Sequence, residues 1–428
     1  MSSLKEIKSR QKGYQLHLIP TEKFKTVHFV IKFKTILQPE TVTARALFPY
    51  VLRQGTKNYP SEQALQRKLD ELYGATLSLD IAKKGDYHVF SIRVAIANEK
   101  FIPNESTLVD ETLQLLHEVI FQPLTEGSGF KTSIVEREKQ TLQKKIESIV
   151  DHKIQYANLR LIDEMFAEEN YRLRVHGYVD DLKTLSAEKL YQQYKHMLNE
   201  DQIDFYVLGD FNLDKLKEKV TSVFTFETNN YEPAQTNMNK KHRVAEVKNI
   251  VETEDIQQAK LHIGYRTYCT YSDELYPAMQ VFNGLFGGFP ISKLFMNVRE
   301  KHSLAYYASS QLDSHKGVLF VFSGIDHKNN EKTQEIINDQ MKAMKSGKFS
   351  EESIEETKKM LINQILETLD HPQGIIEMFY QQVIANYERS PNQFIQQIKL
   401  VTKEEVIDIS KQVTQDTIYL LTEKSGDQ

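Results

Sequence analysis

One cysteine, Cys269, and no tryptophan occur in 428 residues. A lone thiol excludes an intrachain disulfide and any multi-cysteine metal site, and Cys269 reads as an inert thiol near a strand. A basic stripe is also missing. Lys and Arg number 54 against 59 Asp and Glu, a formal net charge of −5, with a pI of about 6.3. That balance argues against a nucleic-acid partner. The most apolar run, GVLFVFSGI from Gly317, is strand-sized and far short of a membrane span. The opening MSSLKEIKSRQKGYQ is charged and has no apolar h-region, which predicts a cytoplasmic chain with neither secretory signal nor membrane partner.

What is present is globular in type: 40% hydrophobic and 26% charged residues, with 21 Tyr and 22 Phe. The length predicts two to three domains. A polar stretch without apolar periodicity, ETNNYEPAQTNMNKKHR from Glu227, has a linker's composition, and its NKKHR run reads as a solvated face. The expected organisation is a domain over 1–226, a linker over 227–246 and a second domain over 247–428.

The two halves repeat one order of elements. In the first, HFVIKF from His28 reads as a strand. A helix follows around RALFPYVLRQGTKNYPS from Arg45, then a second helix, SEQALQRKLDELY, with Ser61 as its cap. The strands GATLSLDIA and YHVFSIRVAI come next. In the latter, Phe90, Ile92, Val94 and Ile96 alternate with outward-facing positions. In the second half, AKLHIGYRT, DELYPAMQVFNGLF, KLFMNVREK, SLAYYASSQL and VLFVFSGI take the same places, an internal duplication. The rest of each half is mostly helical. The stretch from Thr132 to Phe166 aligns Ile134, Leu142, Ile146 and Ile149 on one face, and Ser186 is placed to cap the helix after it. The fold class is α+β: two similar domains, each a mainly antiparallel sheet covered by helices.

A helical His-x-x-Glu-His turns two imidazoles towards one zinc and a carboxylate towards its water. Of the 13 histidines, no two stand four residues apart. The single His-Glu pair, His117-Glu118, precedes the apolar Val119, Ile120 and Phe121, and reads as an ordinary partly buried histidine. GLFGGF from Gly284 lacks the Lys-Ser/Thr of a nucleotide loop and reads as a tightly packed turn between helices.

Four segments resemble the pitrilysin, insulinase and mitochondrial processing peptidases over almost the whole chain. They are LRQGTKNYPS, IVEREKQTLQKKIES, HGYVDDLKTLSAEKLYQQYKHML with FYVLGDF, and FNGLFGGFPISKLFMNVREKHSLAYYAS. The resemblance implies a half-clamshell of two domains. It puts the family's zinc-binding histidines on Ala46 and Tyr50, its catalytic glutamate on Pro49, and its later zinc-binding carboxylate on Lys145, with Glu138 matching a further carboxylate. None of these four side chains suits a metal centre, so no zinc or other cofactor is expected in this chain. Pro49 is expected to kink or shorten its helix.

The second-domain signature is retained as VREKHSLAYY. In the family its arginine and tyrosine, here Arg299 and Tyr306, hold the substrate backbone and the developing oxyanion. His302 and Ser303 replace a short residue and glycine. The resemblance therefore implies the zinc-less, substrate-gripping subunit of a heterodimeric zinc peptidase. A homologous partner subunit would supply the zinc, and the substrate would be a peptide or an unfolded protein segment. Two alternatives stand beside it: a scaffold or binding protein without proteolytic work, and a metalloenzyme with displaced ligands.

Overall fold

The computed structural model describes residues 4–227 and 244–424; most of the expected linker, with its NKKHR run, lies outside them. The chain divides into two compact units, one of Met1–Ser148 with Leu173–Thr236, the other of Ile149–Arg172 with Asn237–Gln428.

The strands of the first unit are β1 (Ile7–Gln11), β2 (Tyr14–Pro20), β3 (Thr26–Ile36), β4 (Thr76–Lys84), β5 (Tyr87–Ala97), the short pair β6 (Thr125–Glu126) and β7 (Gly129–Phe130), and β8 (Gln202–Gly209). Six of them form one sheet in the order β1-β2-β8-β3-β5-β4. Its inner face presents Leu16, Phe29, Ile31, Phe33, Phe90, Ile92 and Phe205 to a helical layer. That layer includes the helices Pro39–Leu52, Leu108–Phe121, Thr132–Glu147 and Ala187–Glu200. Ser61 and Ser186 cap their helices as expected, accepting from the amides of Ala64 and Lys189. The alternation expected of β5 holds only in part, since Val89 and Ser91 are buried as well. On that second face His17 lies between Glu6 and Asp204, at 2.7 and 2.9 Å.

The second unit has β9 (Lys248–Glu254), β10 (Ala259–Arg266), β11 (Ala305–Asp313), β12 (Val318–Ile325) and β13 (Thr414–Glu423), in the order β11-β12-β10-β13-β9. The duplication read in the sequence is carried into the pairing. Strands β2 and β8 are parallel, and β8, β3, β5 and β4 then follow antiparallel. Likewise β9 and β13 are parallel, and β13, β10, β12 and β11 follow antiparallel.

The helical stretch from Thr132 is not one element. It stops at Glu147, passes through a short turn, and restarts as the helix Lys153–Met165. This second helix lays Ala157, Leu161, Ile162 and Met165 on Val318, Phe320, Tyr419 and Leu421 of the second unit's sheet. Residues 149–172 thus group with the second unit although they precede the linker. Hydrophobic periodicity marks a buried face without saying which sheet covers it.

Candidate functional site

The first unit holds the positions matched to a metal centre. Helix Pro39–Leu52 contains Pro49 and is neither stopped nor shortened by it. The proline falls in the last turn, so its missing N–H costs one hydrogen bond and little helix lies beyond it. Ala46 is fully buried in the core, and Pro49 is buried beside it. Tyr50 is half-buried at the edge of that core. The ammonium of Lys145, from helix Thr132–Glu147, stands 5.9 Å from the centre of the Tyr50 ring. Glu138 on the same helix is buried and takes a 2.7 Å hydrogen bond from Arg137 Nε. Arg137 also donates to Gln54 in the turn after the facing helix.

This donor set does not fit zinc. A methyl in the core, a proline ring, a phenol and an ammonium offer no pair of imidazoles and no open carboxylate. Among the described residues, no group of three or more His, Cys, Asp or Glu side chains is arranged to hold a metal ion.

The Gly55-Thr56 turn after this helix survives for a structural reason. Gly55 has φ of +139°, and a Cβ there would lie 2.4 Å from the carbonyl oxygen of Tyr59. Thr56 is completely buried and donates to Glu118 at 3.0 Å, while Asn58 donates to the other carboxylate oxygen at 2.8 Å. The Lys57 amide bonds the Gln122 carbonyl. Glu118 therefore pins the turn to the end of helix Leu108–Phe121. The sequence reading missed this role, because nothing in the spacing links two groups 62 residues apart. His117 packs tilted against Phe121 and edge-on against Phe224, with burial lowering its pKa, an ordinary partly buried histidine.

His176 is the other residue near Lys145 that the sequence left without a role, although it lies in the quoted HGYVDD segment. Burial, and next the Lys145 charge, push its pKa down to about 4. Its imidazole is neutral at pH 7, and its Nδ1 is buried without a hydrogen-bond partner.

The second unit carries the retained pair. The expected helix KLFMNVREK is widened to π-type hydrogen bonding over Phe295–Lys301. So is Gly284–Gly288, which corrects the turn expected at GLFGGF: it continues the helix Tyr276–Asn283. Tight packing does hold there, since a Cβ on Gly287 would lie 2.6 Å from Ser310 Oγ. The Phe295 and Arg299 side chains meet, with the guanidinium 4.7 Å from the ring centre. Arg299 is 46% exposed, and the Glu300 carboxylate is 3.6 Å away. Ser303 takes a left-handed φ of +50°, a conformation that glycine adopts without the cost of a Cβ. Its amide and that of Leu304 close the helix end on Arg299 and Val298.

The chain then enters β11 through an irregularity in register between Ala305 and Tyr307. Such a bulge re-aims the extra side chain, and Tyr306 stands 70% exposed on an edge strand. Its hydroxyl makes no hydrogen bond among the described residues. Both donors thus reach solvent from backbone of unusual geometry.

Against known proteins, residues 184–361 match the family model described as "Peptidase M16 inactive domain". The chain is 44% identical over 428 residues, all of both chains, to the "Probable inactive metalloprotease YmfF" of Bacillus subtilis strain 168. Among solved structures, a conserved protein from Enterococcus faecalis V583 superposes with a TM-score of 0.88 at 35% identity, covering 99% of this chain and all of that one. A protease from Helicobacter pylori shares the fold at a TM-score of 0.83 and 15% identity, covering 98% of this chain and all of the other. Identity over the whole length leads to one assignment: the chain belongs to the M16 peptidase family.

Proposed function

We propose that this chain is the non-catalytic, substrate-gripping subunit of a heterodimeric zinc metallopeptidase. A homologous subunit supplies the zinc, and Arg299 and Tyr306 reach its active site in trans. They would hold the backbone of a peptide or unfolded protein segment and donate to the carbonyl oxygen as it gains charge. One observation carries the reading. A chain that has replaced every metal-centre position keeps a guanidinium and a phenol exposed, on a widened helical turn and a bulged edge strand. Burial would have served a purely structural pair better. No helix among the described residues is long and apolar enough to cross a membrane.

The test is to purify the chain with the zinc-bearing homologue from the same genome and follow peptide cleavage. Arg299→Ala or Tyr306→Phe should each lower kcat by about 10²- to 10³-fold, the usual loss for one oxyanion donor. Unchanged cleavage, or no stable pairing with the homologue, would favour a scaffold role instead.

A further inference from the structure

Two buried arginines show how this chain fixes a guanidinium for structural ends. Arg45 donates to the carbonyls of Phe33 and His88 and pairs with Asp201 at 2.7 Å. Arg266, which also rests on the Phe166 ring, donates to Asp416, Glu169 and the Met165 carbonyl. In both, the N–H groups end on oxygen acceptors.

Arg299 is held differently. Its guanidinium lies 4.7 Å from the centre of the Phe295 ring, and its side chain makes no hydrogen bond among the described residues. The Glu300 carboxylate oxygen stands 3.6 Å from Nε, beyond hydrogen-bond length. Phe295 and Arg299 are four residues apart on one widened helical stretch, and the backbone beneath each is fixed. The Phe295 amide donates to Ser292 Oγ at 3.4 Å, the Arg299 carbonyl accepts from the Ser303 amide, and Val298 between them is fully buried. The ring is half-buried while the guanidinium reaches solvent. A ring face attracts a cation without supplying an acceptor oxygen. The contact therefore narrows the positions open to a long side chain and leaves its five donors unspent.

We propose that Phe295 is a positioning residue for Arg299, a task that rests on the substrate-gripping role of that arginine. The ring holds the guanidinium in place with its N–H groups free to reach a peptide carbonyl.

A mutant cycle tests this in the full chain assembled with the zinc-bearing homologue. Phe295→Leu keeps the position apolar but removes the ring, and should lower kcat/KM for a peptide about two- to fivefold. Phe295→Tyr keeps the ring face and should hold most of the activity. In an Arg299→Ala background, Phe295→Leu should cost nothing further, because the ring then has nothing to position. A ring that served packing alone would cost as much in both backgrounds. In the isolated chain with isotopically labelled arginine, the Arg299 Nε–H resonance should shift in Phe295→Leu, where the ring current is lost. It should stay near its place in Phe295→Tyr.

The two roles fail separately. If Arg299→Ala leaves cleavage intact, the substrate role falls and the positioning with it. If Arg299→Ala costs about two to three orders of magnitude while Phe295→Leu is harmless, or equally harmful in both backgrounds, the positioning alone is overturned. An Arg299 resonance unmoved by Phe295→Leu overturns it as well, whatever the cleavage rates.

Discussion

The two units share one strand plan but have treated their functional positions in opposite ways. In the first, two of the residues matched to a metal centre, Ala46 and Pro49, have been absorbed into packing, and Tyr50 lies under the ammonium of the exposed Lys145. In the second, Arg299 and Tyr306 stay in solvent, supported by a left-handed serine and a bulge. Residues kept for packing alone drift towards whatever fills space. Residues held outward on costly backbone need another reason, and that contrast is what experiment can break.

The sharpest test compares the loss of activity with the loss of stability at the second site. Arg299→Ala and Tyr306→Phe should cost two to three orders of magnitude in cleavage by the assembled peptidase. Their urea unfolding midpoints should stay close to wild type, because both side chains reach solvent and neither belongs to the core. A large stability loss with intact cleavage would make the pair structural and collapse the contrast.

At the first site the expectation reverses. Ala46→His restores a family ligand on paper, yet it puts an imidazole into a space with no exposure at all. Overpacking and an unpaired polar ring should together destabilise the chain by about 1–3 kcal/mol, measured by urea unfolding. A neutral substitution, with zinc bound, would mean that the old site is still open.

The fold was legible where local chemistry decides it. Ser61 and Ser186 announce their helices, and the paired strands of both halves sit where alternation placed them. That Ala46, Pro49, Tyr50 and Lys145 carry neither imidazole nor carboxylate is read from the residues themselves, but matching them to a metal centre needs the family resemblance. What escaped was non-local. Residues 153–165 read as part of one helical stretch from Thr132, and nothing in the sequence named the sheet beneath them. Glu118 looked idle because its partners Thr56 and Asn58 lie across a turn. Pro49 looked disruptive because its distance from the helix end was unknown. Val89 and Ser91 looked outward because a second covered face leaves no period-two mark.

Two buried histidines, one in each unit, should answer pH with opposite signs. In the first unit, burial opposes the charge on His17, but hydrogen bonds to Asp204 and Glu6 outweigh it and raise its pKa. In the second, His262 is completely buried, neither ring nitrogen has a hydrogen-bond partner among the described residues, and burial followed by the Lys260 charge lowers its pKa to about 3. The signs are opposite. His17 contributes stability fully present below pH 6.5 and lost as pH rises through its raised folded value. For His262, the unfolded chain takes up a proton near pH 6.5 while the native state resists until about 3. Stability should therefore fall with pH across that window, by at most about 1.4 kcal/mol per unit for one proton. His262→Leu should flatten this part of the curve in urea titrations from pH 6.5 to 4. An unchanged slope would show that His262 is not among the groups that set it.

Ser303 gives the smallest effect and bears most directly on why the second site is held as it is. A left-handed conformation costs a residue with a Cβ roughly 1–2 kcal/mol, and glycine escapes most of that while losing more entropy on folding. Ser303→Gly should thus stabilise the chain by about 0.5 kcal/mol, seen as a small rise in the urea midpoint. Cleavage by the assembled peptidase should be unchanged, because the backbone that presents Arg299 and Tyr306 already has the shape glycine prefers. Ser303→Val, which resists positive φ, should lower both stability and cleavage. If valine leaves cleavage intact, the geometry of this turn does not aim the pair, and its exposure has to be explained by the edge strand alone.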